Sequence, residues 1–189
     1  MTETPLSSLI TLGSNESTDL AENKEMLEEA IAFIVDIFGN YTKKSKYYQT
    51  PAFPKGAGPD FVNAAIAVKI PLSPEEILIN LLRIEQKMGR KRTTRWAQRN
   101  IDLDLIAVGG CIKPDIETYT YWYDLPLEKQ KSEAPVQLIL PHPRLQDRAF
   151  VLGPLRDIAP DWMHPVLNLT IEDMWLALPK TERLEIKAI

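Results

Sequence analysis

The chain has one cysteine, Cys111, among its 189 residues, so no internal disulfide can form. No apolar run approaches the roughly 18 residues of a membrane helix. The opening Met-Thr-Glu-Thr-Pro-Leu has neither the basic start nor the apolar stretch of a secretory signal. These absences predict a cytoplasmic protein with no membrane partner. Positive charge is not in excess either: 22 Lys and Arg against 26 Asp and Glu leave a formal charge of −4. That excludes a broad basic face for nucleic acid, and concentrates the cations in one short stretch suited to a small anion. There is no internal repeat, low-complexity tract or linker, and no obligate protein partner is evident. A composition of 44% hydrophobic and 25% charged residues predicts one globular domain over residues 1–189.

What is there centres on residues 89–108, where a basic loop runs into an apolar strand carrying two carboxylates. Arg90, Lys91, Arg92, Arg95 and Arg99 put five cations into ten residues. In Ile101-Asp102-Leu103-Asp104-Leu105 the side chains alternate faces, so both aspartates share one. Their Cα atoms lie roughly 6.6 Å apart at two residues' rise, from which two carboxylates can converge on one cation or bracket a pair. Hard oxygen ligands suit Mg²⁺, which is typically held by one or two carboxylates together with substrate phosphates. Guanidinium forks bind phosphate oxygens bidentately. The stretch therefore reads as a Mg-nucleotide phosphate site, although Asp-x-Asp on a strand equally suits a solvated sheet face.

Along the chain, 8–12 is a short buried strand ended by a turn at Gly13-Ser14-Asn15. A helix capped by Asp19, with Glu22 completing a capping box, carries the stripe Leu20, Leu27, Ile31 and Ile34 to Gly39. Residues 41–50 are strand-like, and Pro51 to Pro59 is a loop expected to be mobile. The strand at 61–70 puts Phe61 and Asn63 on one face. Ser73-Pro74-Glu75-Glu76 starts a helix whose stripe is Ile77, Leu81, Ile84 and Met88. Residues 111–137 form an excursion with an aromatic knot between two short strands, or an aromatic surface patch. Residues 137–140 return as a strand, and 148–158 and 170–178 are helices. The order strand, helix, strand, strand, helix, strand predicts a ferredoxin-like α+β fold, βαββαβ, with a mostly antiparallel sheet, the excursion and C-terminal helices. Helices would cover one sheet face and the other would line a site.

Six stretches in this order resemble the hydroxymethyl-dihydropterin pyrophosphokinase family, whose members pass a diphosphate from ATP to a pterin alcohol in folate biosynthesis. They are Leu12-Gly13-Ser14-Asn15, Tyr48-Gln49-Thr50-Pro51, Asp60-Phe61-Val62-Asn63-Ala64-Ala65, Glu85 to Arg90, Arg95-Trp96 with Arg99 to Asp104, and Pro141-His142-Pro143-Arg144 to Leu155. Together they span roughly residues 8–165.

The resemblance implies that Asp102 and Asp104 hold two Mg²⁺ ions with ATP, and that Arg90, Arg92 and Arg99 join them in catalysis. It implies ATP contacts from Glu85, Arg92, Arg95, Trp96, Arg99, His142 and Arg148. Hydroxymethyldihydropterin would lie between Phe61 and Phe150, with Asn63 on its edge and Thr50, Pro51, Phe53 and Trp96 around it. Leu82 stands three residues before Glu85, where the family carries glutamine. The adenine contacts near 137–139 stay unassigned. The competing class, an RNA-binding module on the same sheet, would have aromatic-rich strands and would need no Asp102 with Asp104.

Overall fold

A sheet core built by alternation organises the chain. In β1 (Leu6–Ser14), Ile10 and Leu12 point into one apolar cluster and Leu9 into a second on the opposite face. The chain continues through α1 (Leu20–Phe38), β2 (Tyr41–Lys44), β3 (Tyr48–Thr50), β4 (Phe61–Ile70), α2 (Pro74–Lys87) and β5 (Asp102–Val108). It ends with α3 (Ile116–Tyr123), a 3-10 turn (Leu145–Asp147), α4 (Ala149–Ile158), α5 (Ile171–Ala177), α6 (Lys180–Leu184) and β6 (Lys187–Ala188). The computed structural model describes residues 6–52, 58–89, 100–126, 129 and 133–189.

The strands form one six-stranded sheet in the order β5-β1-β4-β3-β6, with β2 also on β4. Every pairing is antiparallel. This is the ferredoxin-like arrangement, with its second strand split into β2 and β3. β4 is covered on both faces: Val62, Ala64, Ile66 and Val68 join the first cluster, Ala65 and Ala67 the second. β5 carries a bulge. Leu105 pairs with Ile10 and Ala107 with Leu9, so Ile106 is the extra residue and lies with Ala107 in the second cluster.

The two long helices cover the first face through their apolar stripes and N-caps, although α1 keeps only the Asp19 cap and not the expected box with Glu22. Asp19 accepts from the Ala21 amide at 2.8 Å, and Leu27, Ala30, Ile31 and Ile34 are buried. Ser73 and Glu76 close a full capping box on α2, which buries Ile77, Leu81 and Ile84. Each such buried aliphatic side chain contributes about 1.5–3 kcal/mol.

Four expectations are corrected. The second face is not left entirely to the site: α4 and α5 bring Val151, Leu152, Leu155 and Met174 onto Leu9, Ala65, Ala67 and Ile106. Residues 41–50 are two strands, interrupted where the Ser45 hydroxyl accepts from the Ala65 amide at 2.9 Å in place of a backbone carbonyl. Residues 137–140 form no strand; only Leu140 makes an isolated bridge, to Lys113. The aromatic run is helix α3, capped by Asp115, whose carboxylate accepts from the Thr118 amide at 2.7 Å. In α3, Tyr119 is fully buried and its hydroxyl lies 3.0 Å from His164 Nε2.

Candidate functional site

Antiparallel partners directly opposite each other share a face, so the register reads out as rows across the sheet. One row is Asp102, Gly13, Asn63 and Tyr48; the next is Asp104, Thr11 and Ala65. Both aspartates are half-buried on the face opposite α1 and α2. β1 runs through Gly13 and Ser14 instead of turning there, which sets a glycine between a carboxylate and an amide. A Cβ on Gly13 would come 2.8 Å from Asn63 Oδ1 and 3.7 Å from the Phe61 ring. The missing side chain is what lets the Asn63 amide lie over the strand.

Asn63 is 7% exposed and donates from Nδ2 to Thr50 Oγ1 at 2.7 Å. Thr50 pairs with Phe61 across β3 and β4. Thr50, Pro51, Phe61 and Asn63 thus come together at one end of β3 and β4. Phe150 is 39% exposed at the start of α4, with the Arg148 guanidinium 5.7 Å over its ring.

Two groups act on the outer edge of β5, the sheet's last strand. Glu85, on α2 and only 2% exposed, accepts from the Leu103 amide at 2.8 Å, between the two aspartates. Beyond them the His142 amide donates to the Ile106 carbonyl at 2.8 Å. Glu85 is therefore a brace for the strand that bears both carboxylates. Its place on the row of Ile77 and Leu81 puts it on the buried stripe of α2, where a glutamate needs a partner.

His142 Nδ1 accepts from the Arg144 amide at 3.1 Å. Burial and the nearby Arg148 guanidinium push the imidazole down to about 3, against the pull of Asp102. The ring is neutral at pH 7, and its proton belongs on Nε2.

Sequence reasoning missed Asn23 and His164. Asn23, fully buried on α1, donates to the Ser17 carbonyl at 2.7 Å and accepts from the Ser14 hydroxyl at 3.3 Å, tying the turn after β1 to the helix. Asn15, in that turn, donates to the Pro59 carbonyl at 3.3 Å. Phe53, Arg90, Arg92, Arg95, Trp96 and Arg99 lie outside the described residues. Among the described residues no three His, Cys, Asp or Glu side chains group as a metal site, and no helix is long and apolar enough to cross a membrane. The carboxylate pair on one face still fits Mg²⁺ shared with substrate phosphates, which needs no third protein ligand.

The family model of 7,8-dihydro-6-hydroxymethylpterin-pyrophosphokinase matches residues 9–160, so α5, α6 and β6 lie outside the matched span. The chain is 38% identical over 146 residues to 2-amino-4-hydroxy-6-hydroxymethyldihydropteridine pyrophosphokinase of Synechocystis, covering 77% of this chain and 64% of that one. The Haemophilus influenzae protein of the same name is 32% identical over 169 residues, 88% and 90% of the two chains. A crystal structure of wild-type Plasmodium falciparum HPPK-DHPS superposes with a TM-score of 0.64 at 17% identity, over 91% of this chain and 44% of that one, and shares the fold. On this match, the chain belongs to the 7,8-dihydro-6-hydroxymethylpterin-pyrophosphokinase family.

Proposed function

We propose that the protein transfers the diphosphate of ATP to the hydroxymethyl oxygen of 6-hydroxymethyl-7,8-dihydropterin, giving AMP and the pterin diphosphate. The observation that carries this reading is the row Asp102, Gly13, Asn63. A cation-binding carboxylate on β5 and a pterin-suited amide on β4 stand on one face, two strands apart across β1.

The hydroxymethyl oxygen attacks the β-phosphorus in line and AMP leaves, a step made mostly of positioning and charge neutralisation. Two Mg²⁺ ions held by Asp102 and Asp104 would neutralise phosphate charge and acidify the attacking hydroxyl. Asn63 and Thr50 read the pterin edge, and Phe61 and Phe150 form its walls, with Pro51, Phe53 and Trp96 closing around it. His142 is a neutral donor, and its Nε2–H suits a phosphate oxygen. Arg90, Arg92, Arg95, Arg99 and Arg148 spread the charge developing on the bridging and leaving oxygens. Glu85 holds the Leu103 peptide, and with it the spacing of the two aspartates.

Incubating the protein with Mg-ATP and reduced hydroxymethylpterin tests the reading. Pterin-dependent AMP, lost with EDTA, supports it. ADP in place of AMP would mean an ordinary kinase on this fold, and neither nucleotide would mean a binding protein.

A further inference from the structure

β3 is three residues long, yet it carries Thr50 and leads into Pro51. A strand that short has little hold on its own, and its inner edge pairs with β4 only over Tyr48 to Thr50. Its outer edge is taken by β6: Tyr48 opposes Ala188, Gln49 opposes Lys187, and the Ile189 amide donates to the Tyr47 carbonyl at 2.9 Å. Those two residues of β6 would otherwise have no place in the sheet.

β6 is itself fixed from behind. Ile186 packs into the second apolar cluster, against Gly153 of α4, where an added Cβ would come 3.2 Å from its Cγ2. Leu184, Glu185 and Lys187 line a cleft of about 250 Å³ together with Gln49, Pro51 and Asp60. α4 adds a second tie to the same stretch: Asp157 accepts from the Tyr48 hydroxyl and from the Lys46 amide, both at 3.0 Å. The residues braced in this way face Asn63 and Phe61, while Asp102 and Asp104 stand two strands away across β1.

We propose that β6 is a clamp on the pterin side of the site: by completing the outer edge of β3 it holds Thr50 and Pro51 against Asn63 and Phe61, and so sets pterin affinity without setting nucleotide affinity. This rests on the pterin reading above. Lys187 and Ile189 act through β3 and are positioning residues. The phase of the ladder assigns the Lys187 amide, like that of Ile189, to the β3 side.

The test is calorimetric binding of 6-hydroxymethyl-7,8-dihydropterin in the presence of Mg²⁺ and α,β-methylene-ATP, beside binding of the nucleotide analogue alone. The double variant Lys187→Pro with Ile189→Pro removes both ladder donors from exposed positions. Its pterin Kd should rise about tenfold while its nucleotide Kd stays within about twofold. Lys187→Thr, which keeps its amide, should bind both like the unaltered protein. Should the double variant not fold, Ile189→Pro alone should weaken pterin binding about threefold. An unchanged pterin Kd, or parallel loss of both ligands, overturns the clamp. Failure of the unaltered protein to bind pterin at all overturns the pterin reading itself.

Discussion

The sheet face opposite α1 and α2 has two halves built by the same strands, and they differ in what two residues' displacement along each strand brings up. In one half Leu9, Ala65, Ala67, Ile106 and Ala107 lie under α4 and α5. In the other stand Thr11, Gly13, Asn63, Asp102 and Asp104. Side chains at i and i+2 share a face, so β1 and β4 each pass from apolar to polar without a change of backbone, while β5 does so beside its bulge at Ile106. The apolar half anchors the strands against helices, and the anchored strands hold the polar half's groups in fixed rows. Stability and chemistry are therefore separable by mutation along a single strand.

The largest effect expected is on turnover in the polar half. Asp102→Ala or Asp104→Ala should lower kcat by roughly 10³-fold or more, as removal of a charge-stabilising group does. Both positions are half-buried, so unfolding free energy should shift by less than about 1 kcal/mol. A kinetic assay beside a urea titration reads both, and retained activity in either variant would remove that aspartate from the machinery. Leu152→Ala is the mirror image. Its fully buried side chain lies in the apolar half, so the change should cost about 2–5 kcal/mol while kcat per folded molecule is kept. Loss of kcat at full stability would break the comparison.

A third prediction concerns how the apolar half is held from outside. His164 is fully buried, its ring 5.6 Å from Trp162, which packs on that half. Its Nδ1 accepts from the Val166 and Leu167 amides, each at 3.2 Å, so the neutral ring is required. Burial pushes its pKa from 6.5 down to about 4. The unfolded chain then binds the proton first. The His164 contribution is complete above about pH 6.5 and is lost as pH falls toward 4, on the order of 3 kcal/mol in all. His142 is pushed down too, so the informative quantity is the difference from His164→Gln, which should lose less stability between pH 7 and pH 4 than the unaltered protein. Equal losses would deny His164 this part.

The smallest effect sharpens the boundary between the halves. Gly13→Ala would drive a methyl to 2.8 Å from Asn63 Oδ1 and displace that amide from its bond to Thr50. Pterin affinity should fall about tenfold with nucleotide affinity nearly unchanged, and Tm should drop by about 2–4 °C for each kcal/mol lost with the buried bond. A parallel loss of nucleotide affinity would mean that Gly13 serves both ligands.

Much of this was legible in the sequence where two signals agreed. Alternation and the Asp-x-Asp pattern located β5 and the common face of its aspartates, and Ser73 with Glu76 marked the start of α2. β4 was read with Phe61 and Asn63 on one face, as found. Elements whose existence depends on distant contacts were not legible. Tyr119, Tyr121, Trp122 and Tyr123 favour strands by propensity, but the Asp115 cap and the Tyr119–His164 contact make the stretch a helix. The break at Ser45 and the two-residue β6 carry no periodicity at all. Glu85 could be named as a site residue, and its spacing from Ile77 and Leu81 sets it on the buried stripe, but its partner, the Leu103 amide, lies 18 residues on and no local signal names it.

The bulge in β5 also bears on how the length of this strand can vary. Ile106 is the unpaired residue, and the phase of the strand reverses across it: Leu103 and Leu105 face the first cluster before it, Val108 after it. Excising Ile106 would join Leu105 to Ala107 and restore simple alternation, leaving every other side chain of the strand on its present face. A one-residue deletion anywhere between Asp102 and Leu105 would instead turn part of the strand over. The bulge at 106 and 107 is thus a place in β5 where the chain can shorten by a residue and still deliver both carboxylates to the same side.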